Sequence, residues 1–347
     1  MAVVLADAVH VPAAPGVRRA GLVLAGAAAL AMGLALRQPA LTAVLGLTVF
    51  GIVHNGFELR YVAGRFGDVL TGRLLVLLLV FITVIAACRV WPDGGVRARR
   101  VEVLSAYALL AAAWWWVRAT LARAAAAAGW VALGAAAAAS LTLLDYHFVV
   151  LVHLHNIVPL CFLWEWSRRL PAGRNVFRAV NLAWVAVLPA LVLVGAFDRV
   201  LRGTTARLGP LGTFTPASLS SAYTPPAWAT EAIGARFLVV FAFMQTMHYV
   251  VWVWFFPRHA PAATAAFERR VPELRGGRLL AVCVLGAAAL ALLMLHDYRT
   301  GKTMYGAVAS YHAYLEFPVL LTLVFGVANV HASHGKERHA ALVHHPR

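Results

Sequence analysis

Ten apolar runs, each long enough to cross a membrane as a helix, constrain the fold of this chain more than any other feature. A membrane-spanning helix needs about 20 predominantly apolar residues. The sequence therefore predicts an all-α fold, a polytopic transmembrane helical bundle of about ten spans, or of nine if the Ala-rich fourth and fifth runs form one helix. The runs fall at 18–36, 39–60, 70–91, 101–119, 122–144, 146–167, 176–198, 232–256, 277–296 and 304–330.

The composition favours a single membrane domain over residues 1–347. Hydrophobic residues make up 62% of the chain and charged residues 13%, whereas soluble domains contain about 45–50% apolar and about 25% charged residues. An ordinary soluble protein is therefore excluded, and the lipid bilayer is the first partner that the sequence predicts.

The basic residues predict topology rather than a further partner. The net charge is +16, but the arginines lie in short loops between apolar runs, and nucleic-acid binding would require them to gather on one face. No nucleic-acid partner is expected. Because cytoplasmic loops carry the excess of Lys and Arg, a ten-span chain is predicted to cross the cell (inner) membrane with both termini in the cytoplasm.

Two segments lie outside the apolar runs. Residues 199–231 are rich in Gly, Pro, Ser and Thr, and they are predicted to form an outer loop that is either a lid over the bundle or simply a long connection. Residues 331–347 are rich in histidine. This segment is predicted to be a cytoplasmic tail that is solvated, with metal capture as the alternative.

Two histidine–glutamate pairs are the strongest functional signal. His54 and Glu58 lie four residues apart, and so do His312 and Glu316, which places each pair on one helix face. A charged side chain at bilayer depth costs about 2.5–3.5 kcal/mol on insertion scales. We therefore predict that both pairs serve a metal site rather than isolated hydrogen bonds.

The sixth run adds a cluster of histidines. Residues two apart on a helix point about 200° apart, so His153 and His155 cannot both face one centre unless Pro159 distorts the helix. Both are kept as candidate ligands. His147 is predicted to support the ligands from the same side, and Glu165 is predicted either to do so or to pair with neighbouring arginines.

The eighth run contributes His248 as a further ligand, and Gln245 lies three residues before it on the same face. Gln245 is predicted to support the ligands, as are Asn55 and Tyr311, which each neighbour a predicted ligand. Depth estimates along the runs allow one cluster near the midplane or two separate metal or haem positions.

The predicted ligand set indicates non-haem iron, as one ion or two. Imidazole and carboxylate suit oxygen-activating iron, and no thiolate set points to copper. Within a bilayer, the expected reaction is O2-dependent oxidation of a lipophilic small molecule, with a ferredoxin or another electron donor. Hydroxylation, desaturation and oxidative cleavage are equally compatible with the sequence.

Two short segments resemble a known family. The segment GIVHNGFE at 51–58 and the pair His312 and Glu316 resemble the histidine–acid motifs of the Brp/Blh-type bacterial carotene dioxygenases. Those proteins are polytopic and use histidine-bound iron to cleave carotene. The resemblance implies a membrane non-haem iron oxygenase.

Two other functions stay open at the level of sequence. A b-type haem redox protein would use histidines on facing helices as axial ligands without neighbouring carboxylates. A proton-coupled or metal-ion transporter would use buried His and Glu side chains to relay protons or to bind an ion.

Overall fold

The computed structural model describes residues 15–68, 70–201, 206–207, 213–214, 216–229 and 231–326. This part of the chain is almost entirely helical, so the predicted all-α class is confirmed. A two-residue antiparallel ladder, β1 (Ala206–Arg207) with β2 (Thr213–Phe214), lies within the predicted outer loop. The helices are α1 (Pro15–Arg37), α2 (Pro39–Phe66), α3 (Gly72–Val90), α4 (Gly95–Val117), α5 (Arg123–Thr142), α6 (Leu144–Ser167), α7 (Arg174–Leu182), α8 (Leu188–Leu193), α9 (Pro216–Tyr223), α10 (Ala232–Tyr249), α11 (Phe256–His259), α12 (Pro261–Arg270), α13 (Gly277–His296) and α14 (Tyr298–Leu321).

Several helices are continued by turns of other helix types. π-Helical segments cover Ala183–Val187, Val250–Phe255 and Thr322–Gly326. The first joins α7 to α8 and the second joins α10 to α11, so each of these pairs of helices crosses as one continuous rod. Short 3-10 helices occur at Arg118–Thr120, Pro226–Trp228 and Pro272–Leu274.

Nine helical segments of the described residues are long and apolar enough to cross a membrane. This agrees with the lower of the two predicted counts, but for a different reason. The fourth and fifth runs stay separate as α4 and α5, and α4 is not among the nine because its first turns carry Arg97, Arg99 and Arg100. The prediction that both termini are cytoplasmic rests on ten spans, and it stays a prediction.

The described chain divides into two compact units. The first comprises the described residues of Met1–Arg65 and Asp145–Tyr305, and the second those of Phe66–Leu144 and Gly306–Arg347. The histidine-rich tail at 331–347 lies outside the described residues, and a lid role for 199–231 stays a prediction.

The first unit is organised around α10. This helix packs against α1, α8 and α9, and it is the most deeply enclosed of the candidate spans. Large aromatic side chains fill the space where α10 continues towards α11. Trp252 and Phe162 are fully buried, with ring centroids 5.4 Å apart in an edge-to-face arrangement. Such aromatic pairs add directional packing to the burial of apolar area.

The second unit is built on an antiparallel pair, α3 and α4, joined by a short turn. A buried polar network ties this pair to α14. The Arg89 guanidinium donates to Glu102 Oε1 from Nη2 at 2.8 Å and from Nε at 3.0 Å. The Tyr314 hydroxyl donates to the same carboxylate oxygen at 2.7 Å, and Arg89 also donates to the carbonyl of Gly306. Each polar group therefore enters the interior together with a partner.

Asp297 occupies the short connection between α13 and α14. Its carboxylate accepts hydrogen bonds from the Thr300 hydroxyl and from the Arg299 backbone N–H, which is the arrangement of a helix N-cap. The hydrogen bond from Thr300 lowers the pKa of Asp297. The charged carboxylate therefore marks the start of the last described span.

Gly64 provides a test of the packing in the first unit. A Cβ at this position would collide with the backbone carbonyl of Ala263 on α12, and backbone moves less readily than a flexible side chain. We expect Gly64→Ala to lower the free energy of unfolding by about 1–3 kcal/mol, the usual cost of overpacking.

Gly33 on α1 is the matched control, because a Cβ there meets nothing within 4 Å. Gly33→Ala should be neutral or stabilising by up to about 1 kcal/mol, since alanine is the better helix former. Thermal unfolding of both variants in one detergent compares them, and equal midpoints would contradict the packing of α2 against α12.

Candidate metal centre

Helix α2 contributes the first histidine–glutamate pair, as the spacing predicts. His54 is 1% exposed and Glu58 is 0% exposed, and both lie on the same face one turn apart. Helix α2 is rich in apolar and small residues through this region, and Asn55 is the one other polar residue between His54 and Glu58. Their burial agrees with a functional role, because ionisable groups inside membranes rarely serve packing alone.

Helix α10 contributes His248, which is also fully buried. His248 lies in the last turn of α10, two residues before the start of the π-helical segment Val250–Phe255. A π-helical turn inserts an extra residue into the helix and therefore changes which side chains face the interior. Such turns occur frequently at functional sites.

Helix α6 contributes His155 and not His153. The rings of His155 and His248 have centroids 4.5 Å apart. His153 points elsewhere: its Nε2 lies 2.8 Å from the backbone oxygen of Tyr223 and donates to it, since a carbonyl only accepts. The structure thus separates two candidates that the sequence left equivalent, as their angular spacing on a helix requires.

The three imidazoles converge on one point within the first unit. His54, His155 and His248 each offer a ring nitrogen, and these nitrogens lie within 4.8 Å of one another. Two nitrogens that are each about 2.1 Å from one ion lie at most about 4.2 Å apart, so only a small contraction is needed to bind one. Glu58 Oε2 lies 3.5 Å from His248 Nε2, so a carboxylate lies beside one of the three histidines.

A backbone carbonyl fixes the tautomer of His54. Its Nδ1 lies 3.1 Å from the carbonyl oxygen of Phe50, and Nδ1 must donate because a carbonyl only accepts. The lone pair is then on Nε2, the nitrogen suited to a metal. Histidine ligands commonly donate their other ring N–H to such an acceptor, which holds the ring orientation.

Gln245 and Tyr249 support His54 from α10. The Tyr249 ring lies 4.4 Å from the His54 ring at an interplanar angle of 41°, and the Gln245 amide donates to the Tyr249 hydroxyl at 2.7 Å. Helix α2 passes close to both side chains, since a Cβ at Gly46 would be in ordinary van der Waals contact with Tyr249 at 3.5 Å and with Gln245 at 3.9 Å. A supporting role for Gln245 stays a prediction, and its hydrogen bond to Tyr249 is the contact through which it would act on His54.

The other predicted supporting residues of the first unit differ in placement. Asn55 is buried, and neither polar atom of its amide has a hydrogen-bond partner within the part of the chain that the structure describes. His147 is half-buried and meets the Phe148 ring edge-on at 5.1 Å. Glu165 forms ion pairs with Arg65 at 2.9 Å and with Arg169, which is the second of the two roles that the sequence allowed.

The second unit holds the other histidine–glutamate pair. His312 and Glu316 lie one turn apart on α14 and are 2% and 0% exposed. Tyr314, between them in sequence, donates to Glu102, and Tyr311 lies 3.0 Å from the Thr83 hydroxyl. The assignment of His312 and Glu316 as metal ligands stays a prediction, as does a supporting role for Tyr311.

Sequence reasoning missed Glu102 as a buried carboxylate. A signal was present, since Glu102 is the only acidic residue of α4 and follows three arginines. Three arginines followed by a glutamate are typical of the charged first turns of a helix. The structure shows instead that the Glu102 carboxylate is buried beside Arg89 and Tyr314.

No family model matches the chain, and no curated protein or solved structure matches it. The class of protein is therefore defined by fold and site alone. The chain is a multi-pass membrane protein of helical fold, and it carries an enclosed histidine–glutamate cluster that can hold a metal ion.

Proposed function

We propose that this chain is an integral membrane metal-dependent oxidoreductase, a non-haem iron oxygenase that oxidises a lipophilic substrate with O2. One observation carries the proposal: three imidazoles from α2, α6 and α10 converge inside apolar helices, and the Glu58 carboxylate lies beside one of them. A metal ion is the simplest chemical reason for three buried imidazoles to converge with a carboxylate nearby, because isolated polar groups at this depth are costly.

Iron is proposed because of the donor atoms. Imidazole nitrogen with carboxylate oxygen is the set that oxygen-activating non-haem iron uses, and it leaves coordination positions open. Iron held in this way supplies O2 activation. The motif resemblance to the carotene dioxygenases favours the same class, and the reducing equivalents would come from a one-electron donor protein such as a ferredoxin.

The chain's own residues have separable roles in this proposal. His54, with its tautomer fixed by the Phe50 carbonyl, presents Nε2. Glu58 either binds the ion directly or orients His248, whose Nε2 is 3.5 Å away.

An aromatic layer next to the centre would exclude water. The ring of Trp252 lies 6.2 Å from that of His248, and Tyr61 and Phe162 pack around Trp252 at 5.6 Å and 5.4 Å. All three aromatic side chains are buried. An apolar shell of this kind controls solvent access to a metal site, and a lipophilic substrate needs such a surface.

Metal analysis of detergent-purified protein, together with an optical spectrum, tests the proposal. We expect iron in stoichiometric amount and no strong Soret band. A strong Soret band would establish the haem alternative. Purified protein without iron, which also fails to take up iron(II) under anaerobic conditions, would contradict the proposal.

Isotopically labelled O2 then tests the oxygenase step. Iron-loaded protein in extracted membrane lipids, supplied with a reductant, should incorporate labelled oxygen into a lipid-soluble product. Iron binding without incorporation would leave a metal protein of another kind, such as a transporter, and would end the oxygenase assignment.

A further inference from the structure

His155 differs from the other members of the cluster in its exposure. His54, His248 and Glu58 are enclosed, but His155 retains accessible surface and is half-buried. Of these four side chains, His155 is therefore the one that reaches the protein surface, at a point on α6 that we call the opening. The same side of α6 carries Leu151 one turn before His155 and His147 two turns before it, and both are also half-buried.

The depth of this opening limits what can enter it. Helix α6 runs from Leu144 to Ser167, so His155 lies about 16 Å from one end and about 18 Å from the other at 1.5 Å per residue. The hydrocarbon core of a bilayer is about 30 Å thick. His155 is therefore near the midplane, where the surrounding medium consists of the middle and ends of lipid chains rather than of headgroups or water.

The neighbouring surface of α6 has the character of a lipid-facing surface. Val150 and Leu154 are 53% and 46% exposed, and exposed aliphatic side chains at this depth contact lipid. The half-buried residues Leu151 and His155 lie at the border between this surface and the packed interior. A hydrocarbon chain that moves along the lipid-facing surface of α6 would thus meet the cluster without leaving an apolar environment.

We infer that the substrate is a long hydrocarbon chain of the membrane, which enters sideways from the bilayer past Leu151 and presents a carbon in the middle of the chain to the centre at His155. This inference rests on the proposed function. It narrows the substrate class from any lipophilic molecule to chains that reach the bilayer midplane, such as acyl or isoprenoid chains, and it assigns Leu151 as a residue that controls access.

Photolabelling in phosphatidylcholine vesicles tests the inference. One probe is a phosphatidylcholine with a diazirine in the middle of an acyl chain, and the other is a small water-soluble diazirine; peptide mass spectrometry locates the label. We expect the mid-chain probe to label His155 and Leu151 and the water-soluble probe to label neither. Label from the water-soluble probe at His155 would overturn the inference, because it would indicate a water-filled path.

Two matched substitutions on α6 complete the test. Leu151→Trp narrows the entrance and should reduce labelling of His155 by at least about tenfold, which corresponds to about 1.4 kcal/mol. Leu154→Trp adds the same volume on the lipid face and should leave labelling unchanged. If Leu151→Trp does not fold, Leu151→Phe replaces it. Equal labelling of His155 in the Leu151 and Leu154 variants would contradict entry past Leu151.

The metal content of the same samples separates this inference from the proposed function. Wild-type protein that holds iron but is not labelled at His155 would overturn lateral entry alone. Wild-type protein that is labelled at His155 but binds no iron would overturn the proposed function and leave the opening as a lipid-accessible site. Both Leu151 variants should retain iron, because Leu151 supplies no ligand atom.

Discussion

His248→Ala is expected to abolish metal binding by the purified protein. His248 is the shared member of the cluster: its ring lies 5.1 Å from that of His54 and 4.5 Å from that of His155, and its Nε2 is 3.5 Å from Glu58. Loss of a residue that only supports a ligand already weakens metal binding by about 10–100-fold. Loss of His248 itself should weaken metal binding by more than about 100-fold, beyond the upper end of that range.

The measurement is metal content by elemental analysis, followed by titration of the metal-free variant with iron(II). His54→Ala should also lose metal, because it removes another of the converging nitrogens. Neither variant should unfold the bundle, since the helices are held by apolar packing that the substitutions leave in place. Full iron occupancy in both variants would end the assignment of these histidines as ligands.

His153→Ala is the matched control, because it removes an imidazole from the same membrane depth on α6. His153 bonds the Tyr223 backbone oxygen, and it does not belong to the cluster. The variant should retain full metal content. Equal metal loss in the His153 and His248 variants would show that the loss reflects general damage to the bundle.

The helical spacing of polar residues correctly predicted where His54 and Glu58 lie, while their role as metal ligands stays a prediction. His54 and Glu58 share a face of α2 because a four-residue separation leaves no other arrangement. The same helical geometry predicted that the side chains of His153 and His155 point in different directions, but it did not predict which of them faces inward. That choice depends on which helices pack against α6, and the spacing of residues within one helix does not predict its packing partners.

Other features of the site have no counterpart in local sequence. The π-helical segment after His248 replaces regular helix, although it contains no proline or glycine. Its residue types therefore do not predict the change of helix type. The Phe50 carbonyl that orients His54 is a backbone group, and every residue has one. Interactions of this kind become visible only when the backbone path is known.

The count of spans shows a similar limit. Hydropathy identified the apolar part of α4, but the helix begins earlier, at Gly95, and includes a charged first turn. Where a helix starts depends on whether its charged residues find partners. In α4, Glu102 does so through Arg89 and Tyr314, and sequence reasoning assigned no partner to Glu102.

Glu102→Ala is expected to destabilise the second unit by about 3–5 kcal/mol, the effect of removing one partner from a buried ion pair. The Arg89 side chain is 28% exposed and that of Glu102 6%, so the carboxylate is the more enclosed partner. Its removal leaves the Arg89 guanidinium without its carboxylate and leaves the Tyr314 hydroxyl without its acceptor. Tyr314→Phe removes one neutral donor to the carboxylate, and it should cost about 1.5–3 kcal/mol, the range for a hydrogen bond to a charged group.

A double variant separates the ion pair from the packing around it. Arg89→Met with Glu102→Leu replaces both charges with apolar side chains of similar size, and such replacements are often neutral or stabilising. The double variant should therefore unfold at a higher temperature than Glu102→Ala, although it carries one more substitution. Unfolding in detergent, followed by circular dichroism at equal protein concentration, provides the comparison. If the two variants lose the same stability, the cost lies in side-chain packing, and the ion pair contributes little to the arrangement of α3 and α4.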